Sequence, residues 1–467
     1  MKKLAGIVVL TVVIATLCAP VLLGRHAQGH IEQVVQALND YPGYNASITR
    51  YQRSWLTSNA EIEVGIDLGP FITDPKDEAL PMAISLLISL DHGPLLLNDG
   101  FGLGLYQWRA GPAAKTQANI NQALGLDDSE PFYQISGKTS LLANTKFKDK
   151  LRAFVMQSSE LSAAFTGYEG VGSISSTGQL TYTGAVQEAS VTDATSSASL
   201  ADLEAHVSAD LSRINWNIML YPSDARFTVG QIQVRPSFGA GGLATGVGMS
   251  TSVIFNEDSS AFDMSSEMTF DAIASEAINV SDAIVAISML NIDIEAYRTY
   301  MDAYSEFMQT AAASANAPNA EAPDLSQIFT PQITQEFLAR GPEVHIDQLA
   351  FTISQGSANA DIALSVNDSA DAPPADPQML APWLVNALVM DASLELDRSL
   401  ADHFGQLMAG AQGAPADNGG NPGADLVNMY IEQGMLVESA GAISADIKLQ
   451  EGALEVNEQL IPLGAMM

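Results

Sequence analysis

Apolar and polar residues alternate along much of this chain. Ile62, Val64, Ile66 and Leu68 fall on one side of an extended segment, and Glu61, Glu63 and Asp67 fall on the other. That is the period-two pattern of a half-buried strand. The preceding "SWLTS" supplies a reversal, so Ile48 to Leu68 is predicted to be a hairpin. Further strand-like runs lie at Ala83–Leu90, Leu103–Arg109, Gly178–Thr183, Trp216–Tyr221, Phe227–Val234 and Thr251–Phe255, punctuated by serine, glycine and aspartate. Two hairpins can be read in register. In "GAISADIKLQEGALEVN" a turn at Glu451-Gly452 pairs Leu449 with Leu454 and Ile447 with Val456, leaving Asp446, Lys448, Glu455 and Asn457 in water. In "LAFTISQGSANADIAL" a turn at Gln355-Gly356 pairs Ile353 with Ala358, Phe351 with Ala360 and Leu349 with Ile362.

The period changes to that of a helix in four places. A short amphipathic stretch, "HIEQVVQALND", precedes the first hairpin. Tyr297, Tyr300, Met301, Tyr304, Phe307 and Met308 recur at three- and four-residue steps and form one stripe on a helix over residues 294–312. That stripe either lines a groove for an apolar ligand or fills a dry core. Thr330 can cap, and Pro331 start, a helix over residues 331–340 that ends at Gly341-Pro342. A last helix over residues 425–433 carries Leu426, Val427, Tyr430 and Ile431. Segments such as "AAASANAPNAEAPD", "NDSADAPPADPQ" and "AQGAPADNGGNPGAD" read as surface loops.

The expected fold class is therefore α+β and β-rich: a long, curved antiparallel sheet of hairpins with several packed helices, plus one N-terminal transmembrane helix. Leu4 to Leu23 is apolar except for Thr11 and Thr16, and about 20 residues at ~1.5 Å rise each match a hydrocarbon core of roughly 30 Å. Lys2 and Lys3 precede this run, which predicts a cytoplasmic N-terminus. Its exit, "LLGRHAQGH", lacks a small-x-small cleavage site. Residues 1–30 are thus expected to anchor the chain in the inner membrane, and residues 31–467 to form a periplasmic domain. Cys18 is the single cysteine and lies in the apolar run, so the rest of the chain owes nothing to disulfides. With 54 Asp and Glu against 20 Lys and Arg, the net charge of −34 repels phosphate backbones, so nucleic acid is not expected as a partner.

The apolar N-terminal run, "ITRYQRSWLTSNAEIEVGI", "LDHGPLLL", the Tyr-rich helix leading to "FLARGPEVHIDQLAFTISQGSANADIALSV", and "MLVESAGAISADIKLQEGALEVN" occur in an order that resembles the YdgA-type family of Gram-negative bacteria. The resemblance spans nearly the whole chain. It implies an inner-membrane-anchored envelope protein of unknown function, and supplies no reaction and no site residues.

Candidate chemistry is sparse. In Asp91-His92-Gly93-Pro94 an acid stands beside a histidine, yet neighbours on a strand point to opposite faces. Gly93-Pro94 is a turn signal, so a structural turn is expected there rather than a catalytic dyad. The six histidines lack ligand spacing, there is no His-Glu-x-x-His helix, and Phe132 stands where a phosphate loop before Gly137-Lys138-Thr139 would need glycine. Asp417, Asn421 and Asp425 read as a solvated loop rather than a calcium site. No catalytic residue, metal or cofactor is expected. The sequence leads to a non-catalytic envelope protein with a structural or interaction role, partnered by a lipid or other apolar ligand in a β-groove or by an envelope protein. The alternatives are an envelope hydrolase using His92 and a protein-docking module.

Overall fold

A computed structural model describes residues 27–29, 31–36, 38–39, 44–66, 82–96, 102–158, 161–215, 218, 220–238, 241–275, 278–315, 330–367, 374, 377–411 and 422–461. The chain divides into two compact units, one formed by Met1–Ala194, Asp202–Ser223 and Met301–Ile328, the other by Thr195–Ala201, Asp224–Tyr300 and Phe329–Met467.

The first unit is an antiparallel sheet built by successive hairpins. β1 (Tyr44–Arg53) pairs with β2 (Thr57–Ile66) as the expected hairpin, with Ile48 opposite Ile62. β2 pairs with β3 (Met82–His92). At Gly93 the chain leaves the sheet for a small two-stranded ribbon, β4 (Leu95–Leu96) with β5 (Gly102–Leu103), and returns as β6 (Tyr106–Pro112) beside β3. α1 (Ala114–Leu124) then leads to β7 (Tyr133–Thr139) and β8 (Thr145–Leu151). β9 (Phe154–Gln157) turns into β10 (Leu161–Phe165), and β10 and β11 (Tyr168–Ile174) pair with successive stretches of β12 (Gln179–Asp193). The amphipathic stretch is helical at residues 31–36 and 38–39, and its Ile31, Val35 and Leu38 pack on Ala46, Ile62, Val64 and Ile88. Apolar positions four residues apart on a helix meet alternate positions on strands, so both periods read from the sequence close one core.

The division between units crosses β13 (Ser197–Asp210), and β14 (Ser223–Arg235) follows it. Of the expected strand Trp216–Tyr221, only an isolated bridge between Asn215 and Leu220 is seen among the described residues.

In the second unit β15 (Gly242–Phe255), β16 (Ala261–Ser275) and β17 (Asn279–Asp293) form a long antiparallel meander. After α2 (Ile294–Ala315) and α3 (Pro331–Leu338), β18 (Glu343–Ile353) joins β17. Thr330 caps α3 as expected, its hydroxyl accepting from Ile333 N at 3.3 Å. β19 (Gly356–Val366) follows, then α4 (Pro377–Ala387), β20 (Leu388–Asp397), α5 (Arg398–Ala411) and α6 (Pro422–Glu432). β21 (Val437–Ser439), β22 (Ala442–Gln450), β23 (Ala453–Val456) and β24 (Gln459–Ile461) complete the sheet, with β22 beside β20.

The two hairpins fare differently. The C-terminal one has the expected register, Leu449 opposite Leu454 and Ile447 opposite Val456, with Glu451 at φ 52° and Gly452 at φ 71° as a primed turn requires. The other turns one residue earlier, at Ser354-Gln355, so Ile353 faces Gly356, Phe351 faces Ala358 and Leu349 faces Ala360. From Leu349 to the turn the register is displaced by two residues, which keeps those side chains on their expected face, and an irregularity between Ile346 and Leu349 resets it beyond; alternation alone does not distinguish the two registers.

One part of the expected fold class is corrected. The molecule is β-rich and antiparallel with a few helices, but no helix among the described residues is long and apolar enough to cross a membrane. The longest, α2, carries Glu295, Arg298, Asp302 and Glu306, too many charges for a hydrocarbon interior. Leu4 to Leu23 lie outside the described residues.

Candidate functional site

His92 ends β3 and is 1% exposed. Its backbone N–H donates to Leu56 O at 2.7 Å, and Gly93 N–H donates to Leu105 O at 2.7 Å, so the main chain holds the exit from the sheet. A Cβ at Gly93 would lie 1.6 Å from Gly104 O, which restricts that position to glycine. The Gly93-Pro94 bond is cis. Asp91 lies opposite Gln107 on one face, and His92 lies opposite Tyr106 on the other. The structure therefore does not bring Asp91 and His92 to one point. Ser58, also fully buried, shares the face of His92 two positions along the β2–β3 ladder, and neither side chain reaches solvent.

The aromatic stripe of α2 starts against the sheet. Tyr297 meets Phe262 of β16 edge-on with ring centroids 5.2 Å apart, and Tyr300 meets Phe337 of α3 at 5.9 Å. Met301, Tyr304 and Phe307 are half-buried, and the Met308 side chain lies outside the described set. Asp417 and Asn421 also lie outside the described residues. Among those described, no group of three or more His, Cys, Asp and Glu is placed to hold a metal ion.

An apolar concavity lies in the C-terminal half of the second unit. Its floor is one face of the sheet: Leu394 and Leu396 of β20 stand opposite Ala445 and Ile443 of β22, and Ile447 stands opposite Val456 of β23. Its roof is made by α5 and α6 through Ala401, Phe404, Leu426, Val427 and Tyr430. Met435, Leu436, Leu454 and Ile461 close the sides. The cavity measures about 460 Å³ and no charged side chain lines it. Next to it Leu400 of α5 and Ile443 of β22, 0% and 1% exposed, form a core with Ile353, Leu396 and Val427, so part of the lining belongs to this core.

Glycine sets the roof. A Cβ at Gly405 of α5 would lie 2.6 Å from Gly423 O, and one at Gly423 of α6 would lie 2.1 Å from Asp402 O, so the helices meet backbone to backbone. Arg398 ties the same corner: Nε donates to Asp402 at 2.9 Å, one terminal nitrogen to Glu438 at 2.9 Å and the other to Asn428 at 2.7 Å. The polar ties of Arg398 thus stay out of the cavity, and its lining stays apolar.

Much of this site could be read from the sequence: Ile447, Leu454 and Val456 come from the expected C-terminal hairpin, and Leu426, Val427 and Tyr430 from the expected last helix. Missed were α5 and its Ala401 and Phe404. The signal for it was the spacing of Leu400, Ala401 and Phe404 just after a strand, which the glycine-rich segment that follows obscures.

No curated protein and no solved structure matches the chain significantly. A family match does extend over residues 1–464, and by it the chain belongs to the bacterial proteins of unknown function grouped as DUF945.

Proposed function

We propose that this chain is a non-catalytic bacterial envelope protein of the YdgA type, on the periplasmic side, whose C-terminal unit binds a lipid or another ligand with a hydrocarbon chain. The observation that carries this reading is the lining of the cavity between α5, α6 and the face of β20, β22 and β23. Ligand pockets of roughly 300–1,000 Å³ are typical, mostly apolar with few polar groups. At about 460 Å³ this one falls in that range, with the Tyr430 hydroxyl its main polar side-chain group. A hydrocarbon chain transferred into it leaves water at no cost in unpaired polar groups. The envelope location rests on the family resemblance, and the ligand on the cavity alone.

The test is lipid analysis of the full-length protein purified under native conditions, followed by titration with a fluorescent fatty acid. One bound chain per molecule is expected, abolished by Leu426→Trp, which places an indole in the cavity from a half-buried position on α6. Wild-type protein that ignores the probe, or a Leu426→Trp variant that binds it equally well, overturns the proposal. Fractionation of cells, with protease added to the opened periplasm, tests the location separately.

A further inference from the structure

In the first unit the exposed face of β6, β7 and β8 gathers positive charge in a chain that carries −34 overall. Residues directly opposite each other in an antiparallel sheet share a face. Arg109, Ser136 and Lys148 form one such row, and Gln107, Lys138 and Lys146 form the next. Together they surround a cavity of about 350 Å³ over the main chain of Gly137. Lys150 continues the face, with Glu130 at 3.7 Å. Lys138, Lys146 and Lys148 are exposed and make no ion pair among the described residues.

Stability alone does not account for this. Lys138 stands directly opposite Lys146, and like charges so placed destabilise a sheet. With 54 acidic residues in the chain, a carboxylate at either position would have relieved the repulsion. The backbone beneath is also firmly set. A Cβ at Gly137 would lie 2.5 Å from the Trp108 ring and one at Gly172 would lie 2.3 Å from the Phe147 ring, so aromatic rings sit on the main chain on the opposite face.

We infer that this face is an anion site for a phosphate group. A dianion with three free oxygens suits several cations around one cavity, with the lysines acting as point charges. The surrounding negative field repels anions in general, so binding is confined to where the cations converge. The site is independent of the apolar cavity of the other unit.

The experiment uses full-length protein at low ionic strength. Inorganic phosphate and glycerol phosphate are titrated by calorimetry, and flotation is measured with phosphatidylglycerol vesicles and with phosphatidylcholine vesicles. The K138Q/K146Q/K148Q variant is compared with K115Q/R226Q/R235Q, which changes net charge equally at exposed positions elsewhere. Binding of a phosphate probe that is weakened by about tenfold in the first variant and not in the second is expected. Binding of the soluble probes identifies a free phosphate ester as the source, whereas binding of phosphatidylglycerol vesicles alone identifies a lipid headgroup. Equal binding by the two variants, or no phosphate-dependent binding by the wild type, overturns the inference. So does loss of self-association in the first variant without phosphate binding, since the cations would then serve a second, acidic copy of the chain.

Discussion

The two units cover a sheet face by different means. Across β6 to β12 of the first, aromatic side chains occupy the space beside glycines in neighbouring strands: Trp108 at Gly137, Phe147 at Gly172, Tyr168 at Gly184 and Tyr182, with Asp149, at Gly170. Phe147 and Tyr182 also stack, with centroids 5.9 Å apart and planes inclined by 10°. Around β20 to β23 of the second, aliphatic side chains rise from the sheet and two helices form a roof. Rings on glycines fill the space next to the backbone and leave a thin, tight layer. A roof held by glycine contacts at one corner leaves a gap wherever the side chains below are short of it. The first arrangement leaves little space at the backbone, and the second leaves an apolar cavity.

Replacements should break these arrangements to very different degrees. The largest effect is expected from Gly93→Ala in the first unit, because its Cβ would meet the Gly104 carbonyl oxygen, a main-chain atom, at 1.6 Å. No rotamer change relieves that clash, so a loss of about 4 kcal/mol or more is expected in denaturant unfolding. A loss under 1 kcal/mol would show that the ribbon of β4 and β5 shifts freely. Next comes Leu400→Ala in the second unit, fully buried where α5 packs on the sheet. It should cost about 3 kcal/mol and weaken fatty-acid binding together with stability, since the floor and the roof share this core.

A smaller effect isolates the ring-on-glycine contact. Gly172→Ala pushes the Phe147 ring aside, and Phe147→Ala bares the glycine; each is expected to cost about 1–2 kcal/mol. In the double variant the new methyl group occupies space the ring has left, so its cost should fall below the sum by about 1 kcal/mol. Strict additivity in denaturation measurements would show that ring and glycine do not act as a pair.

This contrast was only half legible in the chain. Hairpin arms, the capped helix at Thr330 and the last helix follow from local periodicity, which is why the floor and part of the roof of the apolar cavity could be read. The cationic face follows from "KFKDK" only once β6 and β7 are known to lie beside β8, because Arg109 and Lys138 reach it through register. The pairing of rings with glycines is likewise a cross-strand property; glycine in a strand reads locally as a weakness. The displaced turn at Ser354-Gln355 shows the same limit, since a shift of two residues preserves alternation. The end of β3 at Asp91-His92-Gly93-Pro94 was recognisable as a turn signal, whereas the ribbon that it opens depends on Gly104, further along the chain.

The smallest effect concerns the pH response of the ring-covered face. Burial pushes the Tyr168 hydroxyl up to about 12, and Asp149 and Tyr133 add to the shift. Asp149 itself is raised by burial and accepts a hydrogen bond from the Tyr182 hydroxyl at 3.0 Å. A tyrosine whose folded pKa exceeds its unfolded value keeps its proton longer in the native state. Its contribution to stability is complete below the ordinary value near 10 and is lost as pH rises towards about 12. Tyr168→Phe retains the ring over Gly184 and removes the titration, so stability near neutrality should change little while the decline between those two pH values becomes shallower. Asp149→Asn should bring the Tyr168 ionisation down, because the nearby negative charge disappears while an acceptor for Tyr182 remains. Ultraviolet titration of tyrosinate follows both changes. An unaltered alkaline decline in Tyr168→Phe would show that ring cover excludes too little water to hold the hydroxyl protonated, and would remove the basis for calling this face tight.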